Sequence, residues 1–454
     1  MDAVRVRFAP SPTGNLHLGG LRTALYNYLF AASNGGLGGS NKKGRLIMRI
    51  EDTDQERTVP GTVDRMMKTF NWLGIAFDEG PDVGGEFGPY IQSQRLQHYR
   101  QYAQELINRD ASYYCFCSKE RLELLRKTNG GYDGLCRTLS QRQINKKLLQ
   151  GAPYVTRLKV ASEGTTVVED KVYGSVPIIN KSIDDQVEKI LYVIDRHHYI
   201  VLGYFKSTYI SGGKLSKRKD DVFVHSYQER GFLPEALLNF VALLGWSPKS
   251  SIQEVFSIDE LVKSFSIEHI NKGSVLVDEA KLLWFNGQHY KLQCKDTNKL
   301  NGFIERLRAA LLARHDLNLS ADDYLLSSDY LKQVLLTVDE RSSLVCNIPD
   351  LAPYFWTDPD YSESKPRSIP NRDLIQDFAT FLEEDCEAFN ESRLKHSIKT
   401  FSLNKSVKEG KTLSMIRYVL CGGMAGPTVV DTAIVLGRER VLKRFQHALK
   451  SLST

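Results

Sequence analysis

Two short strings in this chain combine residue types suited to phosphate chemistry. The first is PSPTGNLHLGG, Pro10 to Gly20. Two prolines and a glycine force a sharp turn. The apolar spacing of Leu21, Leu25, Tyr28 and Leu29 predicts a helix that starts beside His17. A helix N-terminus offers backbone N–H groups and a partial positive charge, so it binds phosphate. Gly19 and Gly20 leave no side chain between backbone and ligand. His17 can donate a hydrogen bond to a phosphoryl oxygen as charge builds there. The second string is KLSKR, Lys214 to Arg218, after Gly212 and Gly213. Cations on a flexible loop can close over a pyrophosphate and stabilise phosphoryl or nucleotidyl transfer. Taken singly, each string also has a bland reading. The first would be a structural turn with a surface histidine, the second a solvated basic loop or a nucleic-acid address.

The elements that must carry these residues begin as an α/β unit. Residues 4–9 read as a strand ended by Pro10 and Pro12, and RLIMRI, Arg45 to Ile50, reads as a second strand running into the acidic cluster EDTD. Strand, helix and strand within about 50 residues open a βαβ unit. Between them, residues 33–44 are Gly-rich and read as a flexible insert. Helices are expected over 61–73 and 93–109, β-rich text over 153–180, and helix again from PEALLNFVALLGW onward. Residues 290–454 read as amphipathic helices broken by a loop near 348–371.

The 454 residues give a prior of about three domains at ~150 residues each. With 42% hydrophobic and 25% charged residues the chain is neither disordered nor fibrous, and no stretch is long and apolar enough to suggest a spanning helix. Seven scattered cysteines argue against a disulfide scaffold and for a reducing compartment. VRVRFA alternates charge with apolar residues, so neither a signal peptide nor a transit peptide is expected at the start. The net charge of +6 is mild, but residues 391–454 carry 12 Lys+Arg against 4 Asp+Glu, while 377–387 carry five acids and no base. Such a basic tail suits nucleic acid.

The two strings together resemble the paired "HIGH"-like and "KMSKS"-like signatures of class I aminoacyl-tRNA synthetases. RFAPSPTGNLHLGGLRTALYNYLFA, followed by RIEDTDQER, is similar to glutamyl-tRNA synthetases; glutaminyl enzymes usually carry different residues around the first motif. PYIQSQRL, YYCFCSKERLELL, KLSKRKDDVFVHSYQERGFLPEALLNFVALLGW and KEGKTLSMIRYVLCGGMAGPTVV fit the same family in its bacterial and mitochondrial branch, and DVFVHSYQERGFLPEAL is most like the mitochondrial members. The resemblance covers most of the chain. It implies a Rossmann-type α/β catalytic domain over 1–220 with an α+β acceptor-end insertion at about 105–180, a stem-contact helical region over 221–290, and an α-helical anticodon-binding domain over 291–454. A short relative that glutamylates a modified tRNA base lacks such a helical domain.

The implied reaction joins glutamate to tRNA(Glu) in two steps, through glutamyl-adenylate and without a covalent enzyme intermediate. The substrates are ATP with its Mg²⁺, L-glutamate and tRNA. Some mitochondrial members also charge tRNA(Gln). By resemblance the enzyme is a monomer of the mitochondrial matrix with no membrane partner. Arg7, Phe8 and Ala9 would line the glutamate pocket; a guanidinium fork reads a carboxylate bidentately and a neutral amide cannot form the same ion pair. Glu51 would bind the α-ammonium. His17, Gly19 and Gly20 would face ATP, with Lys214, Leu215, Ser216, Lys217 and Arg218 as the mobile ATP loop. His17 and Lys217 would act on the phosphates. Cys115, Cys117, Tyr132 and Cys136 stand where some bacterial relatives hold zinc. Position 138, histidine in some relatives, is Thr138, and the expectation is a metal-free knuckle.

One stretch departs from the pattern. Between 182 and 213 the family runs S-D-G-x-P-T-Y-H, V-V-D-D-H and H-V-x-R-G-x-E-W. Val193 to His198, VIDRHH, can stand for the second piece; the family's substrate-contacting tyrosine falls on Glu188, and the Arg-Gly-x-Glu-Trp element has no counterpart. The shortfall is roughly 40 residues, large for a domain of short loops. A single internal excision from a working enzyme's gene model explains it most simply. A catalytically impaired tRNA-binding protein is the alternative.

Overall fold

The computed structural model describes residues 4–34, 44–129, 131–183, 185, 208–210, 213–214, 223–249, 252–273, 275–317, 319–320, 323–339, 342–361, 371–385 and 388–452. Backbone contacts gather into two compact units. One comprises residues 1–226 and 241–277, the other 227–240 and 278–454. The stem-contact region expected at 221–290 is thus shared between the two units. Among the described residues no helix is long and apolar enough to cross a membrane.

The first unit opens with β1 (Arg5–Phe8), α1 (Leu18–Asn34) and β2 (Arg45–Met48). β1 and β2 pair in parallel, Arg5 opposite Arg45 and Phe8 opposite Met48. A parallel pair needs a crossover, which α1 supplies. A third backbone segment lies beyond β2: Asp78 N donates to Leu46 O at 2.8 Å and Met48 N to Glu79 O at 2.9 Å. α2 (Thr62–Leu73) buries Met66, Phe70 and Leu73, and Phe70 meets Phe8 and Phe77 edge-on at 5.6 and 5.1 Å. α2 ends at the left-handed Gly74, φ 71°, the usual stop for a helix, and is preceded by Gly61, also at φ 71°.

Past α3 (Leu96–Asn108) comes the α+β insertion: β3 (Ser112–Cys115), α4 (Lys119–Asn129), α5 (Gln141–Leu149), β4 (Val155–Leu158), β5 (Thr165–Asp170) and β6 (Gly174–Ile179). β3 pairs antiparallel with β4, and β5 with β6. Asp185 ties the end of this insertion back to its start. Its carboxylate accepts from Tyr113 Oη at 2.6 Å, Val160 N at 2.9 Å and Arg137 Nη1 at 3.1 Å. The short β7 (Thr208–Ile210) pairs antiparallel with β8 (Gly213–Lys214) and parallel with a later strand, β9 (Val275–Val277).

The remaining helices follow in chain order: α6 (Val224–Glu229), α7 (Pro234–Leu243) and α8 (Ile258–Ser264) before β9, then α9 (Glu279–Gln293), α10 (Thr297–Leu312), α11 (Ser328–Val338), α12 (Ile348–Leu351), α13 (Arg372–Glu384), α14 (Glu391–Asn404), α15 (Glu409–Cys421), α16 (Val429–Leu436) and α17 (Arg438–Ser451). The loop expected near 348–371 therefore begins with the short α12. Side-chain caps start most of the second unit's helices. Asp278, Asp296, Ser327, Asn371, Asn390 and Thr428 each accept from an N-terminal N–H, a contact worth about 1 kcal/mol apiece. One core, mostly of Leu, Val, Ile and aromatic side chains, joins Leu233, Ala236 and Tyr290 to residues from Leu300 through Leu449. Arg444, 1% exposed, is its polar pin: it binds Asp358 Oδ1 at 3.0 Å and the carbonyls of Tyr354, Thr357 and Leu420. A buried guanidinium is tolerated only when its donors are met in this way.

Candidate active site

His17 is the N-cap of α1. Its Nδ1 accepts the backbone N–H of Gly20 at 3.0 Å, and its carbonyl accepts from Leu21 N at 3.0 Å. With Nδ1 acting as an acceptor, the neutral ring carries its proton on Nε2. The imidazole therefore does two things: it satisfies one helix-end donor and keeps an N–H beside the positive end of the helix. A Cβ at Gly20 would lie 3.0 Å from Leu16 Cδ1 and in ordinary contact with His17 Cε1 at 3.7 Å, so a side chain here would press on Leu16. The turn before the helix is held from outside: Glu51 N donates to Pro10 O at 2.9 Å and Val59 N to Pro12 O at 3.0 Å. The phosphate-type motif and the acidic cluster after β2 are thus locked to each other by backbone bonds.

The same zipper continues down the strand ends. Arg49 N donates to Phe8 O at 3.0 Å, Ile50 N to Tyr90 O at 2.9 Å and Gln92 N to Ile50 O at 2.9 Å. Residues 49–51 therefore run between the end of β1 and residues 90–92. Arg7 is 3% exposed and Arg49 is 3% exposed. Arg49 Nη2 lies 3.8 Å from Glu51 Oε1. Burial, and next the neighbouring Arg7 charge, push the Arg49 guanidinium below its ordinary value, with Glu51 acting the other way. Asp52 is spoken for by Ser93, whose N and Oγ donate to it at 2.8 and 2.5 Å. Asp54 pairs with Arg57 at 2.5 Å.

Among the expected site residues, Arg7, Glu51, His17, Gly19 and Gly20 thus fall on one set of adjoining strand and helix ends, and Ala9 follows on the partly exposed end of the first strand. Phe8 is buried, its ring packed edge-on against Phe70, and its carbonyl accepts from Arg49 N. Lys214 lies in β8. Leu215, Ser216, Lys217 and Arg218 lie outside the described residues, as do Glu188 and the VIDRHH segment. Arg49, a charged residue directly after an apolar strand and two before Glu51, stands beside that carboxylate although no motif singles it out.

In the insertion, the thiols of Cys115, Cys117 and Cys136 lie within 4.8 Å of one another. Cys117 and Cys136 Sγ are 3.6 Å apart, and the Cys115 thiol donates to Tyr132 Oη at 3.4 Å. Arg157 stacks over the Tyr132 ring at 4.0 Å. Burial opposes ionisation of Cys115, but its contacts with Tyr132, the Cys117 backbone and Arg157 outweigh it and hold the thiol below its ordinary value. Burial, then the contact with Cys136, pushes Cys117 up to about 11. Three convergent sulfurs supply three of the four donors a structural zinc site takes, with a phenol oxygen beside one of them and no histidine or carboxylate in the group. In a metal-free chain the same contacts close the knuckle.

A parallel strand pair whose ends meet a helix N-terminus, carrying buried cations and one acidic side chain, is the nucleotide-binding end of a Rossmann-type α/β enzyme. The family model for class I tRNA synthetases (E and Q), catalytic domain, matches residues 3–201 and 194–284, and that for an anticodon-binding domain matches 303–449. The chain belongs to this synthetase family, with a class I catalytic domain followed by a helical anticodon-binding domain, and stands among its glutamate–tRNA ligases. The glutamate–tRNA ligase of Clostridium novyi (strain NT) is 33% identical over 497 residues, covering 99% of this chain and 98% of its own. That of Clostridium kluyveri is 34% identical over 509 residues, covering 100% and 99%. The crystal structure of a glutamate tRNA ligase from Elizabethkingia meningosepticum, in complex with its amino acid, superposes with a TM-score of 0.83 at 28% identity, covering 99% of this chain and 100% of that one.

The comparisons also locate the departure seen in the sequence. The catalytic match comes in two pieces that meet at 194–201. An alignment of 509 positions to a chain of 454 residues leaves at least 55 positions with no residue of this chain.

Proposed function

We propose that this chain activates L-glutamate with ATP and transfers it to tRNA(Glu). The observation that carries this reading is the backbone lock between the His17-capped helix and the strand ends bearing Arg7 and Glu51, in a chain matched end to end by glutamate–tRNA ligases. Arg7 would take a carboxylate of glutamate and Glu51 its α-ammonium. The amino acid is then held so that its α-carboxylate oxygen meets the α-phosphate of ATP, and most of the rate gain is positioning. The N-terminus of α1 and the Nε2–H of His17 stabilise the charge that grows on the phosphoryl oxygens, and the Lys214–Arg218 segment contributes cations to the leaving pyrophosphate. Mg²⁺ arrives with ATP. The adenylate is consumed by a terminal ribose hydroxyl of tRNA, with AMP leaving. The basic C-terminal helices would place the tRNA by phosphate contacts, while a few side chains read splayed anticodon bases.

The test is ATP–pyrophosphate exchange with glutamate and tRNA present. Exchange that depends on glutamate supports the ligase. Retained tRNA binding without exchange supports the second reading, a tRNA-binding protein impaired in activation. That reading is favoured by one observation, the break in the catalytic match at 194–201. Sequencing the transcript across 180–214 decides whether a longer, active form exists. We also read the enzyme as a monomer of the mitochondrial matrix that accepts tRNA(Gln) as well as tRNA(Glu). The likeness of residues 221–237 to mitochondrial members supports the location. Organelle fractionation, charging of tRNA(Gln) transcripts and sedimentation test the three parts.

A further inference from the structure

We propose that Val224 is a positioning residue for ATP: its backbone N–H braces the residue before His17 and so fixes how the histidine and the start of α1 meet the nucleotide. The proposal rests on the ligase reading and deepens the part of it that concerns ATP. Val224 N donates to Leu16 O at 2.8 Å, and His17 pairs with Phe223 in an antiparallel bridge. The other bonds to this turn lie further off. Glu51 and Val59 reach it at Pro10 and Pro12, seven and five residues before His17, and Arg65 Nε reaches only the Asn15 side chain, at 3.1 Å. The Val224 bond holds the backbone next to the histidine itself. All four bonds land on oxygens of the turn, so none of them takes an N–H that a phosphate would use.

The place of Val224 in the chain explains why it supplies this donor. The first N–H groups of a helix have no acceptor within it, and Val224 is the first residue of α6. A donor that its own helix cannot use thus satisfies the carbonyl just outside the cap of α1. The pairing also sets register. Leu16 and Leu18 are buried, at 6% and 0% exposed, while His17 between them is half-buried. Neighbours in an extended segment point to opposite faces, so a slip of one residue would set a leucine where the imidazole stands. The Val224 side chain is fully buried, which seats the donor. Val224 also follows Arg218 by six residues, so the chain that leaves the Lys214–Arg218 string is the one that grips the His17 turn.

The experiment uses the full chain, wild type first, with calorimetric binding of ATP and ATP–pyrophosphate exchange in the presence of glutamate and tRNA. Proline suits the first position of a helix and follows an extended residue well, and Phe223 pairs as one. V224P therefore removes the N–H at little cost to α6. It is expected to lower kcat/KM for ATP about tenfold or more, because displacing a positioned group by about 1 Å costs up to about 10²-fold, while KM for glutamate stays within about twofold. V224A, which trims the buried side chain but keeps the N–H, retains most of the efficiency. V224P/H17A is no worse than H17A alone, because Val224 acts through the His17 turn. Unchanged ATP efficiency in V224P, an equal loss in V224A, an equal rise in glutamate KM, or full additivity with H17A would overturn the proposal. Thermal melting identifies a V224P that does not fold, and amide hydrogen exchange of the wild type then decides. Coupling between the bond and the nucleotide is reciprocal, so ATP is expected to slow exchange of the Val224 amide severalfold; an amide indifferent to ATP refutes the role. A wild type that neither binds ATP nor exchanges defeats the ligase reading, and this one with it. An active wild type with an indifferent V224P defeats only this one.

Discussion

His17 couples stability and chemistry in one side chain, and the two can be separated. Asparagine caps a helix well and alanine does not. His17→Asn is expected to keep the melting temperature near wild type while lowering kcat by about 10²–10³, the usual cost of a lost transition-state donor. His17→Ala should lose both, with about 1 kcal/mol of stability gone. Denaturation and exchange kinetics on the same preparations check this; equal melting of the two variants would refute the capping role. Arg7 is buried on the strand that enters the site. Arg7→Met should raise KM for glutamate by roughly two orders of magnitude and leave KM for ATP nearly unchanged, since a carboxylate partner lost in a buried setting costs about 2–5 kcal/mol.

At the level of elements, the strand ends are held by one buried carboxylate. Glu79 is 1% exposed and joins three segments: Arg5 Nη1 at 2.6 Å, Arg45 Nη1 at 3.2 Å and Tyr90 Oη at 2.5 Å. Burial opposes its ionisation, but the bonds from Arg5, Tyr90 and Arg45 prevail and hold it below the ordinary 4.5 of a glutamate. A carboxyl group with a depressed folded pKa contributes stability fully above its unfolded value, and that contribution is lost as pH falls through the folded one. Glu79→Gln is therefore expected to lower the melting temperature by about 5 °C or more at pH 7. The gap between the two proteins should close as pH drops below 4.5. Parallel melts from pH 7 to pH 3 measure it, and a gap that widens in acid would contradict the assignment. The cysteine knuckle offers a second element-level test. Phe116 N donates to Cys136 Sγ at 3.4 Å. Cys136→Ala removes that acceptor, so amide exchange across 115–137 should quicken, at a cost of about 1–3 kcal/mol.

For the whole molecule, the net charge of +6 conceals a division of labour, since residues 391–454 alone carry a surplus of 8 and the rest of the chain is slightly acidic. Binding of tRNA should weaken steeply with salt, with a log–log slope several units negative, because each neutralised phosphate releases counterions. Filter binding between low and physiological salt measures it; a flat response would separate the helical tail from tRNA. Length is the other whole-molecule quantity. In the alignment with the Clostridium kluyveri enzyme at least 55 positions have no residue here, and the catalytic-domain match itself comes in two pieces that meet at 194–201. Activity of this exact polypeptide is therefore the measurement that most sharpens its role.

The βαβ opening and the two phosphate-type motifs were legible in the residues alone, because turn residues and apolar spacing are local signals, and the family was legible in the motif strings. The sequence also marked the missing stretch, since a motif order is one-dimensional. Tertiary structure decided what local signals cannot carry. Period-two alternation turned Phe8 onto Phe70, the parallel pairing carried on past β2 to bond Arg49 N to Phe8 O across some forty residues, and Glu79 became the shared anchor of three segments that nothing in the text links. The three thiols met for the same reason: β3 and a turn twenty residues later were folded together by Tyr113, Asp185 and Arg137, and spacing alone does not encode that closure.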